Sequence, residues 1–442
     1  MYEQPNITVG ICENDNAIVG RFDGSFHGPG GRPLSGTFRA AAAGADVVLT
    51  DGGGREILRN QVIPCTPDEG ATFALQAVTI GRSFHWERQK SQVFEGALTF
   101  LAGRSGGVTA VNTVPIESYL AGVISSEMSG TAPTEFLKAQ AIASRSWLAA
   151  MLAKKARAAA TAASPVRERQ KEDEIIRWYD RKDHEQFDVC ADDHCQRYQG
   201  ISRQGRAADA VRDSRGVFLS WHGEVCDARF HKACGGLTEL FGTAWEDADL
   251  PYLIPVPDGP EAYDPVQTEQ EARLWLLSRP DAYCSITDKD FLAAILPEYD
   301  RETADFFRWQ VVHDRRDLER IIGEKSGMDF GTLRAILPLA RGPSGRIRRL
   351  RIVGSRRSLE IGKELEIRRW LSPSHLYSSA FVVDAEGGTA AAPDRFSFRG
   401  GGWGHGVGLC QIGAAVMAQR GFTAEAILAH YFPGASLERR YR

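Results

Sequence analysis

The sequence predicts an α+β protein with a β-rich N-terminal part, a central helical segment and a mixed β/α C-terminal part. Two observations predict this class. Short runs of alternating apolar residues, separated by Gly, Pro and Asp, occupy both ends of the chain, whereas apolar residues recur at helical spacing in its middle. Strand and helix signals are mixed and do not strictly alternate, which favours α+β over a doubly wound parallel sheet.

The N-terminal strands are predicted from NITVGI, NAIVGRF, DVVLT, FALQAVTI and GVTAVNTV, which lie between residues 5 and 115. From Pro115 the period changes. IESYLAGVISSEM and PTEFLKAQAIASRSWLAAMLAKK predict two helices, with Thr131 or Thr134 as the N-cap of the second. Residues 154–176 are Ala-rich and then highly charged, which predicts a helix end followed by an exposed excursion.

Short strands are predicted again from about residue 187, in FDVC, GVFLSW and EVCDARF. Residues 259–325 predict irregular, partly helical structure. A last β-rich stretch is predicted from RIRRLRIVG, SLEIGKELEI, SSAFVVD and FSFRG, and AAVMAQRGFTAEAILAHYF predicts helix at the end. No repeat at periods of about 20–50 residues is visible, which excludes a solenoid.

Composition excludes several function classes. The chain has 442 residues and a net charge of −4, so no electrostatic attraction to nucleic acid or anionic lipid is expected. It contains no apolar run of about 18 residues, so no transmembrane helix is expected. The first twenty residues lack a basic region followed by an apolar one, so no signal peptide is visible.

The stretch VISSEMSG places Glu127 between an apolar run and the second predicted helix. Lys138 and Arg145 are seven residues apart on that helix and therefore share a face. A carboxylate presented beside two cations is a candidate general acid, provided that burial raises its pKa. The alternative is that both cations are solvated charges on the helix surface.

HEQFDVCADDHCQ offers two imidazoles and two thiols within twelve residues, at His184, Cys190, His194 and Cys195. Such a ligand set suits tetrahedral zinc. Because His194 and Cys195 are adjacent, a loop is required to turn both towards one ion. His231 and Cys234 are alternative ligands. The other possibility is a set of independent buried thiols and surface imidazoles, and lone buried thiols are expected at Cys12, Cys65 and Cys284.

Six glycines lie between Gly400 and Gly408 in FRGGGWGHGVGLCQIGA, together with Trp403 and His405. No Lys follows in the position that a phosphate-binding loop needs. An aromatic ring, an imidazole and open backbone favour a sugar- or peptide-binding groove, and the alternative is a tight strand-to-helix turn. A thiol hydrolase built from Cys234 or Cys410 with His405 is a further alternative.

These three motifs, in this order, resemble the stage II sporulation protein D family. VPIESYLAGVISSEMSGTAPTEFLKAQAIASRSW is similar to its central signature, and FHKACGGLTE and GGWGHGVGLCQIGA are similar to the two later ones. The resemblance implies a β-rich region at 1–107 and a catalytic domain at 108–442, with insertions near 154–176 and 245–340. One departure is Cys410, where the family usually shows Ser.

The resemblance implies a peptidoglycan lytic transglycosylase that cleaves peptide-free glycan strands to 1,6-anhydro-muramic ends. Glu127 falls on the family's acid/base, and Lys138 and Arg145 fall on its basic residues. A structural zinc on the cysteine–histidine cluster is implied, and the chemistry itself requires no cofactor. The expected substrate-binding residues are Gln196, Trp403, His405 and Gln411.

Two further expectations depend on the resemblance. The place of action is the cell envelope, with peptidoglycan glycan strands as the substrate and a cell-wall amidase as a candidate partner. The rival function is a glycan-binding enhancer of that amidase, without catalysis. A hydrolase remains an alternative because Glu117 or Glu135 would supply the second carboxylate that glycoside hydrolysis generally uses.

Overall fold

The computed structural model describes residues 4–82, 87–103, 106–161, 168–178, 184–201, 205–261, 263–301 and 305–442. The chain divides into two compact units. Unit 1 comprises Met1–Thr131, Arg181–Val217 and Arg439–Arg442, and unit 2 comprises Ala132–Asp180 and Phe218–Glu438. The boundary near residue 108 stays a prediction. Among the described helices, none combines the length and apolar character that crossing a bilayer needs.

The elements are numbered along the chain. Those up to residue 161 are β1 (Asn6–Asp15), β2 (Ala17–His27), β3 (Pro33–Ala43), β4 (Asp46–Asp51), β5 (Glu56–Asn60), β6 (Val62–Pro67), β7 (Thr72–Ile80), β8 (Arg88–Glu95), β9 (Ala97–Ala102), β10 (Val108–Pro115), α1 (Ile116–Glu127) and α2 (Thr134–Thr161).

The next elements are β11 (Glu168–Gln170), β12 (Glu174–Arg177), β13 (Val189–Cys190), α3 (Gly205–Asp213), β14 (Val217–Trp221), β15 (Glu224–Val225), β16 (Phe230–His231), α4 (Phe241–Ala244), α5 (Glu269–Leu277), α6 (Lys289–Ile295), β17 (Arg308–Asp314) and α7 (Arg315–Ser326). The last are β18 (Leu333–Arg341), β19 (Ile347–Gly354), β20 (Ser358–Gly362), α8 (Glu364–Trp370), β21 (Phe381–Glu386), β22 (Arg395–Gly401), β23 (Leu409–Cys410), α9 (Gln411–Gln419), α10 (Ala424–Tyr431) and β24 (Ser436–Arg439). Single 3-10 turns lie at Pro29–Gly31, Tyr283–Ser285 and Glu298–Asp300.

Unit 1 is built on one sheet in the order β13-β1-β10-β9-β6-β2-β3-β4-β5, with β7 and β8 joined to it through β2. β1 and β10 pair antiparallel, with Ile7 opposite Val114. β13 pairs parallel to β1, with Cys190 opposite Gly10. This pairing places the start of the cysteine–histidine loop at an edge of the sheet, and α1 leaves the end of β10 directly.

A cluster of aromatic side chains from the strands of unit 1 forms part of its core. Its buried rings contact one another at centroid distances of 4.4–6.3 Å, and they belong to Phe22, Phe26, Phe38, Phe73, Phe94 and Phe100. They come from alternate positions of their strands, which is the inward-facing pattern that the sequence predicts. Each buried ring contributes roughly 1.5–3 kcal/mol relative to exposure, so the sheet gives α1 a rigid base.

Unit 2 contains several smaller sheets. One has the order β11-β12-β20-β19-β18, another the order β17-β22-β21, and β14 lies between β15 and β24 in a third. β16 and β23 pair parallel, with His231 opposite Cys410. That short pair joins the motif FHKACGG to the end of the glycine-rich segment. One core cluster of this unit includes Trp309, Leu350 and Trp370, all buried.

The predicted α+β class is confirmed, including the β-rich N-terminal part and the two central helices. The exposed excursion at 154–176 was partly wrong. α2 continues to Thr161, and β12 pairs parallel to β20 with Glu174–Ile176 buried. The apolar pair Ile175 and Ile176 explains this, because a strand that places them in a sheet removes them from water. Residues 162–167 lie outside the described part of the chain.

The strand prediction for SLEIGKELEI was wrong in its second half. Residues 358–362 form β20, but Glu364–Trp370 form the helix α8. Helical spacing lets Glu364 pair with Arg368 one turn on, at 3.3 Å. It also lets the indole of Trp370 donate to Glu366, at 2.7 Å. These i,i+4 contacts stabilise the helix, although the alternating apolar pattern of the segment favours a strand.

Candidate functional site

Glu127 is the last residue of α1, and only 9% of its surface is exposed. The helix forms on a face of Leu120, Val123 and Ile124, which are all fully buried. The backbone becomes extended at Met128, so Glu127 stands at the end of a rigid element. Most glutamates of soluble proteins are exposed to solvent, whereas the side chain of Glu127 is buried.

The segment after β13 supplies a partner for this carboxylate. The backbone N–H of Arg197 donates a hydrogen bond to Glu127 Oε1 at 2.9 Å. Arg197 Nε in turn donates to Asp193 Oδ1 at 2.5 Å. Burial raises the pKa of Asp193 to about 7, against the opposing charge of Arg197. One oxygen of Glu127 is therefore fixed by a residue that is itself anchored by an ion pair.

Two tyrosines hold the same segment against α1 and the sheet. The hydroxyl of Tyr119 donates to Gln196 Oε1 at 3.2 Å, and that of Tyr198 donates to Asn112 Oδ1 at 3.0 Å. Gly122 permits this packing, because a Cβ there would lie 2.4 Å from the carbonyl oxygen of Gly200. Gln196 is fully buried, and its predicted contact with substrate stays a prediction.

The four predicted metal ligands come together in unit 1. The candidate ligand atoms of His184, Cys190, His194 and Cys195 all lie within 4.8 Å of one another. His184 Nε2 is 3.2 Å from His194 Nδ1 and 3.4 Å from Cys195 Sγ. Zinc bonds of about 2.0–2.1 Å to nitrogen and 2.3 Å to sulfur imply tetrahedral edges of roughly 3.3–3.8 Å. The residues present thus fit a four-coordinate metal ion.

Loop geometry makes this cluster possible. Residues 191–200 have no regular secondary structure, as the adjacent pair His194 and Cys195 requires. Asp188 fixes one end of the cluster by accepting from the backbone N–H and the hydroxyl of Thr8, at 2.9 and 2.8 Å. Asp192 accepts from the backbone N–H groups of Gly81 and Arg82, at 3.0 and 2.8 Å. The alternative ligands His231 and Cys234 belong to unit 2 and not to this group.

α2 carries the two predicted basic residues in unit 2. Lys138 Nζ donates to Glu135 Oε1 at 3.1 Å, and its side chain is 27% exposed. Arg145 is fully buried. The alternative of two solvated surface charges is therefore wrong for Arg145, since a buried guanidinium must be matched by acceptors or counter-charge. The predicted catalytic roles of Lys138 and Arg145 stay predictions.

The glycine-rich segment of unit 2 wraps the buried guanidinium of Arg346. Arg346 donates to the carbonyl of Gly404 at 3.1–3.2 Å and to that of Cys234 at 3.0 Å. Gly402 and Gly406 have φ of 75° and 80°. A Cβ at Gly406 would lie 2.4 Å from the guanidinium carbon. The glycine-rich sequence predicts that its backbone lies close to another group, and that group is the buried guanidinium of Arg346.

Three predicted substrate-binding residues lie in or next to this segment. The ring of Trp403 stacks on Tyr377 at 4.2 Å. His405 is partly exposed and accepts at Nδ1 from the backbone N–H of Val407, at 3.0 Å. Gln411 opens α9 and is almost fully buried. Their places in unit 2 are compatible with a binding wall, and their contact with substrate stays a prediction.

Two histidines, His405 in the segment and His231 beside it, are held neutral. His231 donates at Nδ1 to the carbonyl of Val407, at 3.1 Å, and its ring lies 5.5 Å from that of His405. Burial and then the charge of Arg346 lower the pKa of His231 to about 3. Burial and then His231 and Arg229 lower the pKa of His405 well below its usual value. Neither imidazole is therefore a cation at neutral pH.

The two candidate second carboxylates have structural partners. Glu117 Oε1 accepts from the hydroxyl of Tyr441 and from the backbone N–H of Gly216, at 2.5 and 3.3 Å. Glu135 accepts from the backbone N–H of Ala424, the first residue of α10, at 2.8 Å. Both carboxylates thus tie chain segments together, in addition to the pair that Glu135 makes with Lys138.

The thiol-hydrolase alternative loses support because a nucleophile must reach its substrate. Cys234 is 2% exposed and Cys410 is fully buried. Cys410 Sγ accepts from the backbone N–H of Cys234 at 3.3 Å. The expected burial of Cys12, Cys65 and Cys284 is confirmed, but Cys284 is not isolated, since its sulfur lies 3.6 Å from Cys234 Sγ.

Sequence reasoning missed Arg197 and Asp193. The contact between Arg197 and Glu127 uses a backbone N–H, which carries no side-chain signal. Asp193 is four residues before Arg197 and resembles any acidic loop residue. A weak signal existed, because Asp193 lies within the segment HEQFDVCADDHCQ and Arg197 directly follows it.

Comparison with known proteins gives two matching family models. Residues 104–221 match the model described as Stage II sporulation protein, and residues 239–408 match a model described as a domain of unknown function. The first range contains Glu127, Lys138, Arg145 and the cysteine–histidine cluster. The second covers the interval 245–340, which the sequence signatures left unassigned.

Individual relatives agree with the first model. The chain is 24% identical over 331 residues to stage II sporulation protein D of Bacillus subtilis (strain 168), covering 74% of this chain and 76% of that protein. It is 24% identical over 330 residues to stage II sporulation protein D of Bacillus amyloliquefaciens, covering 74% and 75%. It is 22% identical over 254 residues to the amidase enhancer of Bacillus subtilis (strain 168), covering 54% of this chain but only 34% of that protein.

The predicted resemblance is therefore confirmed by a domain match and by similarity along most of the chain. Residues 104–221 match the stage II sporulation protein family model, and they lie within a longer region that is similar to stage II sporulation protein D.

Proposed function

We propose that this chain is a peptidoglycan lytic transglycosylase in which Glu127 is the single acid/base. The observation that carries the proposal is a buried carboxylate at the end of α1, with one oxygen held by the backbone N–H of Arg197. It lies inside the range matched by the stage II sporulation protein model. A cell-wall role, exercised in the cell envelope, is the coarser form of this proposal.

The reaction requires one group that both gives and takes a proton. Protonated Glu127 donates its proton to the glycosidic oxygen as the bond from that oxygen to the anomeric carbon of muramic acid breaks. The resulting carboxylate then accepts the proton of the 6-hydroxyl of the same sugar, as its oxygen bonds to the anomeric carbon. The products are a new 4-hydroxyl end and a 1,6-anhydro-muramic end, and Glu127 is again protonated.

Hydrolysis would need an activated water and generally a second carboxylate. The structural partners of Glu117 and Glu135 favour a one-carboxylate mechanism, because each already ties segments of the fold together. Asp193 is ion-paired with Arg197 and is better explained as the residue that positions Arg197. Glu127 is then the carboxyl that we assign to both proton transfers.

The remaining residues take supporting roles in this proposal. In it, Lys138 and Arg145 on α2 orient the glycan or steady the charge that develops during cleavage. The other contacts to the sugar strand come from Gln196, Trp403, His405 and Gln411. An indole and polar side chains suit sugars, whose faces are apolar and whose edges carry hydroxyls.

Zinc is proposed as a structural ion on His184, Cys190, His194 and Cys195. Four protein ligands fill a tetrahedral shell and leave no position for water, so the ion would supply cross-linking and no acid–base chemistry. The loop that it would fix is the loop that presents the backbone N–H of Arg197 to Glu127. The chain's own residues perform every proton transfer.

Similarity to the amidase enhancer supports a second candidate function, in which the chain binds glycan and stimulates a cell-wall amidase without cutting the strand itself. The buried Glu127 argues against it, since a binding surface gains nothing from a carboxyl shielded from water. The similarity also covers only 34% of the amidase enhancer.

The test is mass spectrometry of products from peptide-free peptidoglycan strands incubated with the purified chain. Anhydro-muramic ends are expected. Reducing muramic ends would replace the proposal by hydrolysis. Intact strands that are nevertheless bound, together with a faster amidase reaction when the chain is added, would replace it by the enhancer function.

A further inference from the structure

We propose that Cys234, Asp258, Cys284 and Cys410 form a second metal site, of the type that holds Zn²⁺ through three thiolates and one carboxylate. All four residues belong to unit 2, and none is more than 2% exposed. The three sulfurs and a carboxylate oxygen lie within 4.8 Å of one another. This site is independent of the proposed enzymatic function and of the cysteine–histidine group in unit 1.

The distances between the ligand atoms match a tetrahedral shell. Cys234 Sγ lies 3.6 Å from Cys284 Sγ, and Cys410 Sγ lies 3.9 Å from Asp258 Oδ2. With Zn–S bonds of about 2.3 Å, tetrahedral angles place two thiolates roughly 3.8 Å apart. Three sulfurs exclude the oxygen-preferring ions Mg²⁺ and Ca²⁺, and favour a soft or borderline ion.

Backbone donors around the cluster resemble the outer shell of a thiolate site. The N–H of Gly236 donates to Cys234 Sγ, and the N–H of Cys234 donates to Cys410 Sγ, both at 3.3 Å. Hydrogen bonds of this kind stabilise sulfur as the anion that a metal needs. Gly236 can donate in this way because its φ of 112° is open to glycine.

Asp258 is oriented in the same manner. Its Oδ2 accepts from the backbone N–H of Cys284 at 2.8 Å, and its Oδ1 accepts from the hydroxyl of Tyr431. These two donors do not use all the lone pairs of the carboxylate, and Oδ2 lies 3.9 Å from Cys410 Sγ. An aspartate held among three cysteines has no purpose in a packed apolar core, whereas it completes a metal ligand set.

A cation and a neighbouring cavity are also present. Three thiolates and a carboxylate around Zn²⁺ leave net negative charge, which a nearby guanidinium offsets. Arg308 Nη1 donates to the carbonyl of Gly235, the neighbour of Cys234, at 2.9 Å. Arg308 and Cys284 both line one cavity, which therefore borders the cluster. Binding would release the thiol protons to solvent.

The site would cross-link four segments that are far apart in the sequence. Cys234 follows β16, Asp258 lies in a loop, Cys284 is in a 3-10 turn, and Cys410 precedes α9. It would thereby fix the backbone next to Gln411 and the end of the glycine-rich segment. His231 takes no part, because it lies outside the group of candidate ligand atoms.

Metal content of the full-length chain, purified with a thiol reductant, tests the proposal. Elemental analysis is expected to find two zinc ions per wild-type chain. The count should fall to one in Cys284→Ser and to one in the double variant Cys190→Ser, Cys195→Ser. Cys65→Ser, which removes a buried thiol outside both groups, should keep two.

Cobalt substitution separates the sites even when a variant is unstable. Co²⁺ in wild type is expected to give thiolate-to-cobalt absorption of five thiolates, and the Cys190→Ser, Cys195→Ser variant to keep that of three. One zinc per wild-type chain, with cobalt absorption of only two thiolates, would overturn the second site. So would a Cys234–Cys284 disulfide, identified by peptide mapping of the chain purified without reductant, because it would occupy the cluster.

Discussion

Glu127 shows how a single backbone contact defines a candidate catalytic group. The N–H of Arg197 holds one carboxylate oxygen, and the ion pair with Asp193 holds Arg197. Positioning in this way costs no reorganisation during the reaction, which is the main way in which a polar site accelerates proton transfer. The chemistry of the site is thus coupled to the loop that carries the cysteine–histidine group.

The first residue-scale prediction concerns Cys195. Cys195→Ser is expected to remove one metal ion per chain and to lower the midpoint of thermal unfolding by several degrees, because a hydroxyl is a poor zinc ligand. Elemental analysis and calorimetry measure the two effects. Cys65→Ser serves as the control, since it makes the same exchange in β6 without touching either group. Unchanged metal content together with unchanged stability in Cys195→Ser would contradict the unit 1 zinc site.

The second residue-scale prediction concerns Asp193. Asp193→Asn is expected to lower glycan cleavage by about tenfold or more, because Arg197 loses its ion pair and the N–H that fixes Glu127 becomes mobile. Asp188→Asn on the same loop removes a charge but keeps an acceptor for Thr8, and should cost less. Initial rates on peptide-free strands measure both. Equal rates for Asp193→Asn and wild type would refute the positioning role.

Local patterns in the sequence were enough to select part of the candidate site. Glu127 and the unit 1 ligands are close in sequence to the features that reveal them, so spacing and resemblance could identify them. Asp258 and Cys284 were beyond such reasoning, because Asp258 lies 152 residues from Cys410 and Cys284 lies 50 residues from Cys234, and a lone cysteine carries no pairing information. The burial of Arg145 could not be predicted either, because helical spacing shows which residues share a face but not what packs against that face.

At the element scale, helices with strong periodicity were predicted well. α1 and α2 follow the apolar spacing of their sequences, and α2 is longer than expected because its Ala-rich end favours helix. α8 and β12 were missed for a common reason. Their conformation depends on tertiary partners, which are the ion pairs of α8 and the parallel strand β20.

The glycine-rich segment supports an element-scale prediction. Gly406→Ala is expected to destabilise the protein by more than Gly421→Ala. Both glycines have positive φ, which costs an alanine about 1–2 kcal/mol, but a Cβ at Gly421 meets open space. At Gly406 it meets the guanidinium of Arg346, whose hydrogen bonds prevent it from moving. An extra cost of about 1–3 kcal/mol is expected for this overpacking.

Urea unfolding of the two glycine variants measures that difference. The comparison is matched, because the substitution and the sign of φ are the same at both positions. Equal midpoints would show that the segment can move away from Arg346, and that the guanidinium does not shape it.

For the whole molecule, the neutral histidines predict acid sensitivity. Burial lowers the pKa of His231, His375 and His430 below their ordinary values. The unfolded chain takes up protons at these positions below about pH 6.5, whereas the folded chain does not. Stability from these groups is therefore fully present above pH 6.5 and is lost as the pH falls towards about 3.

His231 provides the variant for this prediction. His231→Asn keeps a donor for the carbonyl of Val407 but cannot take up a proton. Between pH 6 and pH 5 the free energy of unfolding should fall by about 1.4 kcal/mol less in the variant than in wild type. Urea titrations at the two pH values measure it. Identical pH dependence in both proteins would mean that His231 is protonated in the folded state.

The central claim is that Glu127 alone moves the protons of the cleavage. Its most direct test is the yield of anhydro-muramic ends, determined by mass spectrometry, from wild type, Glu127→Gln and Glu117→Gln on peptide-free strands. Glu117→Gln is the matched control, since it makes the same change on the same helix and keeps an acceptor for Gly216 and Tyr441. We predict a loss of about 10²–10⁴-fold for Glu127→Gln and near wild-type yield for Glu117→Gln. Wild-type yield from a folded Glu127→Gln variant would contradict the account.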